Sequence, residues 1–343
     1  MRWWWMIALT GAIIGSYVTL SIWPSMKQKQ SQVFRREAGG TLHFWKSLSD
    51  ASEMHWPYAW AAVASYQDSF DSKRKPLEVT AACPEPHEFL SQRGWVQWTE
   101  LPSLDPKAKT LYPDAAQKMR DTHLRAEVWS NAATHQVVVA FGGTAASSWN
   151  DWKSNLRWFV FDPHDEYTVL SDTFLTAFTQ EYQRRENEPD GAWLKEARVI
   201  PTGHSLGGGL AQRFAYSRDP KSVIPKITEV YAFDPSPVSG KRSSRFYREN
   251  APGLTIYHIY NRGEILASLR SLVHIANPGD RRNQGQVWID IRYRDNWTWR
   301  TLLPSGTVHA HGMWDFARFM ARNLPSTDMP ACEDAANKEG LTR

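Results

Sequence analysis

A chain of 343 residues with 42% hydrophobic and 22% charged residues is long enough to bury a large core, and too balanced for global disorder or a polytopic membrane protein. Its 40 basic and 36 acidic residues are spread along the chain without a long basic run or zinc-type Cys/His spacing, so nucleic acid is not an expected partner. Two cysteines, Cys83 and Cys332, exclude a disulfide framework and a thiolate metal site and leave room for one bridge at most. Tryptophan is the outlier at 18 residues, an amphipathic ring used in cores and at lipid–water boundaries alike.

Residues 3–23, WWWMIALTGAIIGSYVTLSIW, carry no charge, and about 20 residues of helix match the thickness of a hydrocarbon core. The segment is expected to be an uncleaved single-pass transmembrane helix, because residues 22–26 offer no small-residue cleavage site; if it were cleaved as a signal, the protein would be secreted. Tryptophans stand at both ends, beside Arg2 on one side and Lys27 and Lys29 on the other, as in interfacial belts. The cations Lys27, Lys29, Arg35 and Arg36 favour a cytoplasmic body and the short N-terminal tail an exported one, so the side of the membrane stays open. The domain plan is therefore an anchor or signal segment over 1–26, a polar linker with a Gly-Gly pair over 27–43, one folded domain over 44–325 and a polar tail over 326–343.

Within the domain, the apolar spacing of residues 57–70 predicts a helix packed on the body. Residues 83–120 alternate proline, charge and tryptophan irregularly, which predicts loops and one short strand. Strands are expected over 126–129 and 137–141, the latter (VVVAF) a β-branched run suited to a strand buried on both faces. A helix over 173–184, a strand over 197–202, a helix over 207–217 and strands over 229–233 and 254–260 follow, and this alternation predicts an α/β fold with a mainly parallel sheet. Residues 286–293 and 297–303, with Asp295-Asn296 between them, read as a late hairpin, and 311–323 as the last helix.

Chemistry concentrates in Gly203-His204-Ser205-Leu206-Gly207, a G-x-S-x-G sequence between a predicted strand and a predicted helix. In a nucleophile elbow the serine sits on a strained strand-to-helix turn, and its flanking glycines let the neighbouring backbone close in. The N–H of Leu206, at the helix N-terminus, is then aimed at a developing oxyanion. A second feature is the glycine pair Gly142-Gly143 followed by Thr144, directly after the 137–141 strand. A serine nucleophile needs a base and an orienting acid, in the chain order Ser, Asp/Glu, His for this fold class. The histidines downstream are His258, inside a strand and read as packed, His274, which falls too early, and His309 and His311. Paired carboxylates such as Asp162 and Asp165 lack a dense oxygen-ligand pattern, so neither a metal nor a cofactor is expected.

Together VVVAFGGT…DWKSNL and TGHSLGGGLAQ resemble the class 3, fungal-type lipase family, whose pattern runs V-V-A-F-R-G-T…D-W…L and T-G-H-S-L-G-G-A-L-A. The resemblance spans residues 57–322 and implies an α/β-hydrolase fold and hydrolysis of carboxylic esters, most naturally of lipids. It implies Thr144 as the oxyanion donor that partners Leu206, and His311, at the head of the last helix, as the base, with His309 the alternative. It implies Glu264, in N-R-G-E-I-L where the family carries N-x-x-D-x-V-P, as the acid; Asp234, after the 229–233 strand, is the rival. Two departures stand out: glutamate for aspartate at 264, and Gly142 where the family has arginine. Asp151 and Trp152 match the family without a catalytic role, and residues 159–170 read as a lid or a plain surface loop. The expected activity is that of a membrane-associated lipase or phospholipase, set against an idle hydrolase-fold scaffold or a secreted lipase effector.

Overall fold

The computed structural model describes residues 15, 30–37, 41–66, 85–143, 164–261, 286–293 and 312–324. The β-branched and aromatic runs of the sequence become strands β4 (Ala126–Asn131), β5 (Gln136–Phe141), β6 (Arg198–His204), β7 (Glu229–Phe233), β8 (Thr255–Asn261) and β9 (Val287–Tyr293). With β1 (Gln32–Arg36), β2 (Leu42–Phe44) and β3 (Val96–Gln97) they form one nine-stranded sheet in the order β2-β1-β9-β8-β7-β6-β5-β4-β3. Strands β5 to β9 run parallel, and antiparallel strands close both edges. The predicted α/β architecture with a mainly parallel sheet is therefore what the chain adopts.

Period-two alternation sends the apolar side chains of β5 to both faces, as a parallel strand buried on both sides requires. Val138 and Ala140 join Ile200, Phe233 and Ile259 under helices α1 (Leu48–Ala64) and α8 (Met313–Arg322). Val137, Val139 and Phe141 join Val199, Phe174, Phe178 and Phe214 under the helices on the other face. Those helices are α5 (Leu175–Glu186) and α6 (Leu206–Ser217), with α7 (Tyr247–Asn250) beside α6.

Four expectations change. Residues Gln32–Arg36 and 42–43, read as linker, lie in strands β1 and β2, which pair with each other while β1 pairs antiparallel to β9, so the folded body begins before Phe44; Val33, buried against Ile291, supplies the apolar contact that the polar composition hides. Residues read as loops between 83 and 120 contain the proline-started helices α2 (Pro86–Ser91) and α3 (Pro113–Asp121) besides the short strand β3. Helix α1 begins nine residues before Pro57, where the Ser47 side chain caps the N–H of Asp50 at 3.2 Å. Residues 164–170, read as the second half of a lid or loop, belong to α4 (His164–Val169) and the π-turn Leu170–Phe174 that leads into α5. Tyr167 and Leu170 are buried there, and the Tyr167 hydroxyl donates to the Val238 carbonyl at 2.6 Å.

The first half of the late hairpin is β9, which pairs parallel to β8 and antiparallel to β1; the 297–303 segment lies outside the described residues, as do residues 3–14, 16–23 and 159–163 and both cysteines. Among the described residues no helix is long and apolar enough to cross a membrane.

His55 of α1 lies fully buried between the rings of Tyr231 and Tyr257, with centroids 5.3 Å from each. Burial, helped by the charge of Lys46, pulls its pKa down to about 3, so it folds as the neutral imidazole. An unfolded chain takes up that proton below about pH 6.5, so stability should hold above that pH and fall as the pH drops towards 3, with a slope approaching 1.4 kcal/mol per pH unit. Denaturant unfolding at a series of pH values should show that slope in the parent and a flatter one in His55→Leu.

Candidate active site

At the C-terminal end of the sheet, β6 gives way to α6 through a single residue, Ser205. Its backbone sits at φ 58°, ψ −123°, a conformation that costs an L-residue about 1–3 kcal/mol and persists only where the surroundings enforce it. Here they do: the Ser205 N–H donates to the Phe233 carbonyl at 2.9 Å, and the Ser205 carbonyl accepts from the Ser236 and Gly208 N–H groups at 2.9 and 3.1 Å. A Cβ at Gly203 would lie 2.3 Å from the Gly207 carbonyl oxygen, and one at Gly207 would lie 2.1 Å from that of Phe141. The G-x-S-x-G spacing is thus a steric requirement, because only glycine lets β5, β6 and α6 meet this closely. Gly208 and Gly209 extend the same logic, against Pro235 and against Tyr167 with Val238. Leu206 opens α6, where an N–H has no acceptor within the helix and faces outward.

On the β5 side, Gly142 and Gly143 press against this elbow. A Cβ at Gly143 would lie 2.7 Å from the His204 carbonyl oxygen and 3.0 Å from Ser205 Cβ. Two side chains pin the glycine pair. Arg125 Nη1 donates to the Gly143 carbonyl at 2.7 Å, and the Tyr66 hydroxyl accepts the Gly143 N–H at 2.8 Å while lying 2.8 Å from His204 Nδ1. Arg125 also answers the missing arginine: its Cβ and Cδ would each be 3.0 Å from a Cβ at position 142, so Gly142 makes room for a guanidinium arriving from outside the motif. Burial pushes the Tyr66 hydroxyl far up, so it stays a phenol, and lifts the Glu166 carboxyl to about 8 against the pull of Arg125. Neither Tyr66 nor Arg125 carries a sequence signature. Tyr66 reads as one more apolar residue of a helix, and Arg125 precedes a strand 17 residues before Gly142.

Replacing Tyr66 by phenylalanine leaves the Gly143 N–H without this acceptor, which costs about 1–3 kcal/mol when the donor is buried. Ester hydrolysis should therefore fall about ten- to a hundredfold in kcat with KM little changed, as steady-state kinetics will show. A role in stability alone would move Tm and leave kcat.

Asp234 follows β7, one strand away from Ser205, and is wholly buried at φ 39°. Its N–H donates to the Ile259 carbonyl at 2.7 Å, and its Oδ1 accepts the Asn261 N–H at 2.9 Å, tying the end of β7 to the end of β8. His258, as expected, is packed within β8, 4.3 Å from the Trp288 ring and 4.0 Å from Asp290 Oδ1. Ser205, Leu206 and Asp234 are thus brought together at one end of the sheet, while Thr144, Asp151, Trp152, Glu264, His309 and His311 lie outside the described residues. Among the described residues no cluster of three His, Cys, Asp or Glu forms a candidate metal site. A cavity of about 530 Å³, lined by Trp56, Trp95, Tyr231, Arg198 and Glu229, sits at the opposite, N-terminal ends of the parallel strands.

A strained, glycine-flanked serine between a central parallel strand and a helix has the geometry of the nucleophile elbow of α/β-hydrolase folds. Residues 85–223 match the model of a phospholipase-like family, the Tle-like phospholipase domain. The match takes in β4, β5 and the elbow and ends before Asp234, Glu264 and His311. No curated protein sequence matches the chain. Among solved structures, the Rhizomucor miehei lipase–propeptide complex is 14% identical at a TM-score of 0.40, with 66% of this chain covered and 66% of that one, about two thirds of its length. The lipase of Rhizopus microsporus var. chinensis is 14% identical at 0.42, covering 77% and 86%, and the Lip2 lipase of Yarrowia lipolytica is 15% identical at 0.36, covering 65% and 74%.

Proposed function

We propose that this protein hydrolyses carboxylic ester bonds of lipids, phospholipid foremost, through an acyl-enzyme on Ser205, and that residues 3–23 hold it in a membrane. The observation that carries the reading is the elbow itself: a buried serine held at positive φ, with the Gly143 backbone packed against its Cβ. In the reaction Ser205 Oγ attacks the ester carbonyl as a histidine takes its proton. The oxyanion is met by the Leu206 N–H and by Thr144, and the same histidine returns the proton to the departing alkoxide. Water then repeats the sequence and frees the fatty acid.

The histidine in this scheme is His311, with His309 the alternative, and the acid that orients it is Glu264, with Asp234 the alternative. Phe316, in the first turn of α8, packs 6.1 Å from Phe233, whose carbonyl receives the Ser205 N–H, and this neighbourhood of α8 and β7 supports the choice of a histidine next to α8 as the base. Labelling of the detergent-solubilised full chain by a fluorophosphonate, beside fatty-acid release from dispersed phospholipid, tests the proposal. Both signals should vanish in Ser205→Ala. Labelling without release would transfer the activity to another acyl substrate, and a folded protein showing neither would be the idle scaffold.

A further inference from the structure

The hairpin that the sequence hides decides where the anchor joins the body. One lateral row of paired residues crosses the sheet through His204, Phe233, Ile259, Ile291 and Val33, from the strand that ends in the nucleophile to β1. Strand β1 runs antiparallel to β9, so its first residue, Gln32, pairs with Arg292 near the C-terminal end of β9. The chain before Gln32 therefore leaves the sheet at the end that carries Ser205. Four strand spacings, about 19 Å, separate β1 from β6 along that row. The cavity bordered by Arg198 and Glu229 lies at the other end, beyond a seven-residue strand about 23 Å long.

The corner where the tether enters has the composition of a lipid–water boundary. Phe44, 71% exposed, packs tilted against Phe34 with ring centroids 4.7 Å apart, and the guanidinium of Arg292 lies 5.4 Å over the Phe34 ring. Trp45, whose backbone N–H donates to the Val33 carbonyl in that same row, is half-buried, one side of its ring 6.0 Å from Tyr257 of the core and Lys46 over the ring at 4.8 Å. Aromatic faces beside lysine and arginine are what a surface needs to sit among headgroups, rings towards the acyl chains and cations on phosphate.

We propose that the catalytic end of the sheet faces the bilayer that holds residues 3–23, so that the protein acts in cis, on lipid of its own membrane, with the Phe44–Trp45–Lys46 corner resting on the headgroups. This rests on the reading of residues 3–23 as a membrane-spanning helix. The seven residues 24–30 reach about 24 Å at full extension, too short a leash for a body seated at this corner to turn its catalytic end outward.

The test uses the full chain reconstituted in phosphatidylcholine–phosphatidylglycerol vesicles, with acyl-labelled phosphatidylglycerol placed either in those vesicles or in protein-free ones, and a third arm with the same lipid dispersed in detergent. Release in cis should exceed release in trans by about tenfold or more at equal lipid, the gain expected of tethering. Phe44→Asp should lower the cis rate severalfold and leave the detergent rate unchanged. Trans release equal to or above cis, or detergent activity without cis release, would overturn the cis arrangement while leaving the ester hydrolase intact. A chain that fails to stay with the vesicles would overturn it together with the anchor. Loss of activity in the detergent arm as well would instead count against ester hydrolysis.

Discussion

Ser205→Ala is expected to lower ester turnover about 10⁴- to 10⁶-fold, because the nucleophile, base and acid of a serine hydrolase act as a unit and removing one forfeits nearly the whole effect. The fold should survive: the Ser205 side chain is small, and its backbone bonds to Phe233, Ser236 and Gly208 do not involve Oγ. The strain at φ 58° adds a second expectation that separates this serine from an ordinary buried one. Alanine inherits the strain and should leave Tm nearly unchanged, whereas Ser205→Gly relieves it. Allowing for the added flexibility of glycine in the unfolded chain, the net gain should be about 1 kcal/mol, or about 2–4 °C in Tm for a body of this size, with activity abolished. Calorimetry of the parent and both variants beside turnover checks this. A glycine variant less stable than alanine would mean that the elbow is held by something the serine side chain supplies.

Glu264→Gln should cost about 10³- to 10⁴-fold in kcat with little change in Tm, the loss expected when the acid partner can no longer hold the histidine tautomer or stabilise the imidazolium. Asp234→Asn should behave differently. The Asp234 Oδ1 already accepts the main-chain N–H of Asn261, and an amide oxygen can keep that bond, so the carboxylate mainly loses a charge-assisted contact between the ends of β7 and β8. A lower Tm and a smaller loss of turnover follow. Steady-state kinetics with thermal unfolding of both variants decides between the two acids: the reverse order in kcat would make Asp234 the residue that orients the base and leave Glu264 outside the triad.

The parts of this site that were legible in the sequence are those made by neighbours along the chain. A VVVAF run is a strand buried on both faces whatever surrounds it, and glycines two residues either side of Ser205 already state that backbone must pass within about 3 Å of both. Legibility ends where the partner is distant in sequence. Tyr66 reaches the glycine pair from 77 residues away, and its hydroxyl looks no different on paper from that of any helical tyrosine. Arg125, just before β4, brings its side chain against the glycine at 142 and its guanidinium to the Gly143 carbonyl, so the position that departs from the resembled pattern has a guanidinium beside it from another part of the chain. The N-terminal hairpin escaped for a similar reason. Its residues are polar and basic because it lies at a sheet edge, where one face is wet, and a five-residue strand with a single buried valine has no periodicity to detect.

By itself, then, the sequence determined the class of fold, the elbow serine and the strained turn that presents it, since each follows from the local geometry of consecutive residues and from the steric minimum of glycine. The tertiary structure alone decided what braces the Gly142–Gly143 turn, which carboxylate ties β7 to β8, and at which end of the sheet the chain before Gln32 arrives. Those are matters of strand register and of side chains that meet across the sheet, and no property of a residue's own neighbourhood in the chain encodes which distant strand will lie beside it.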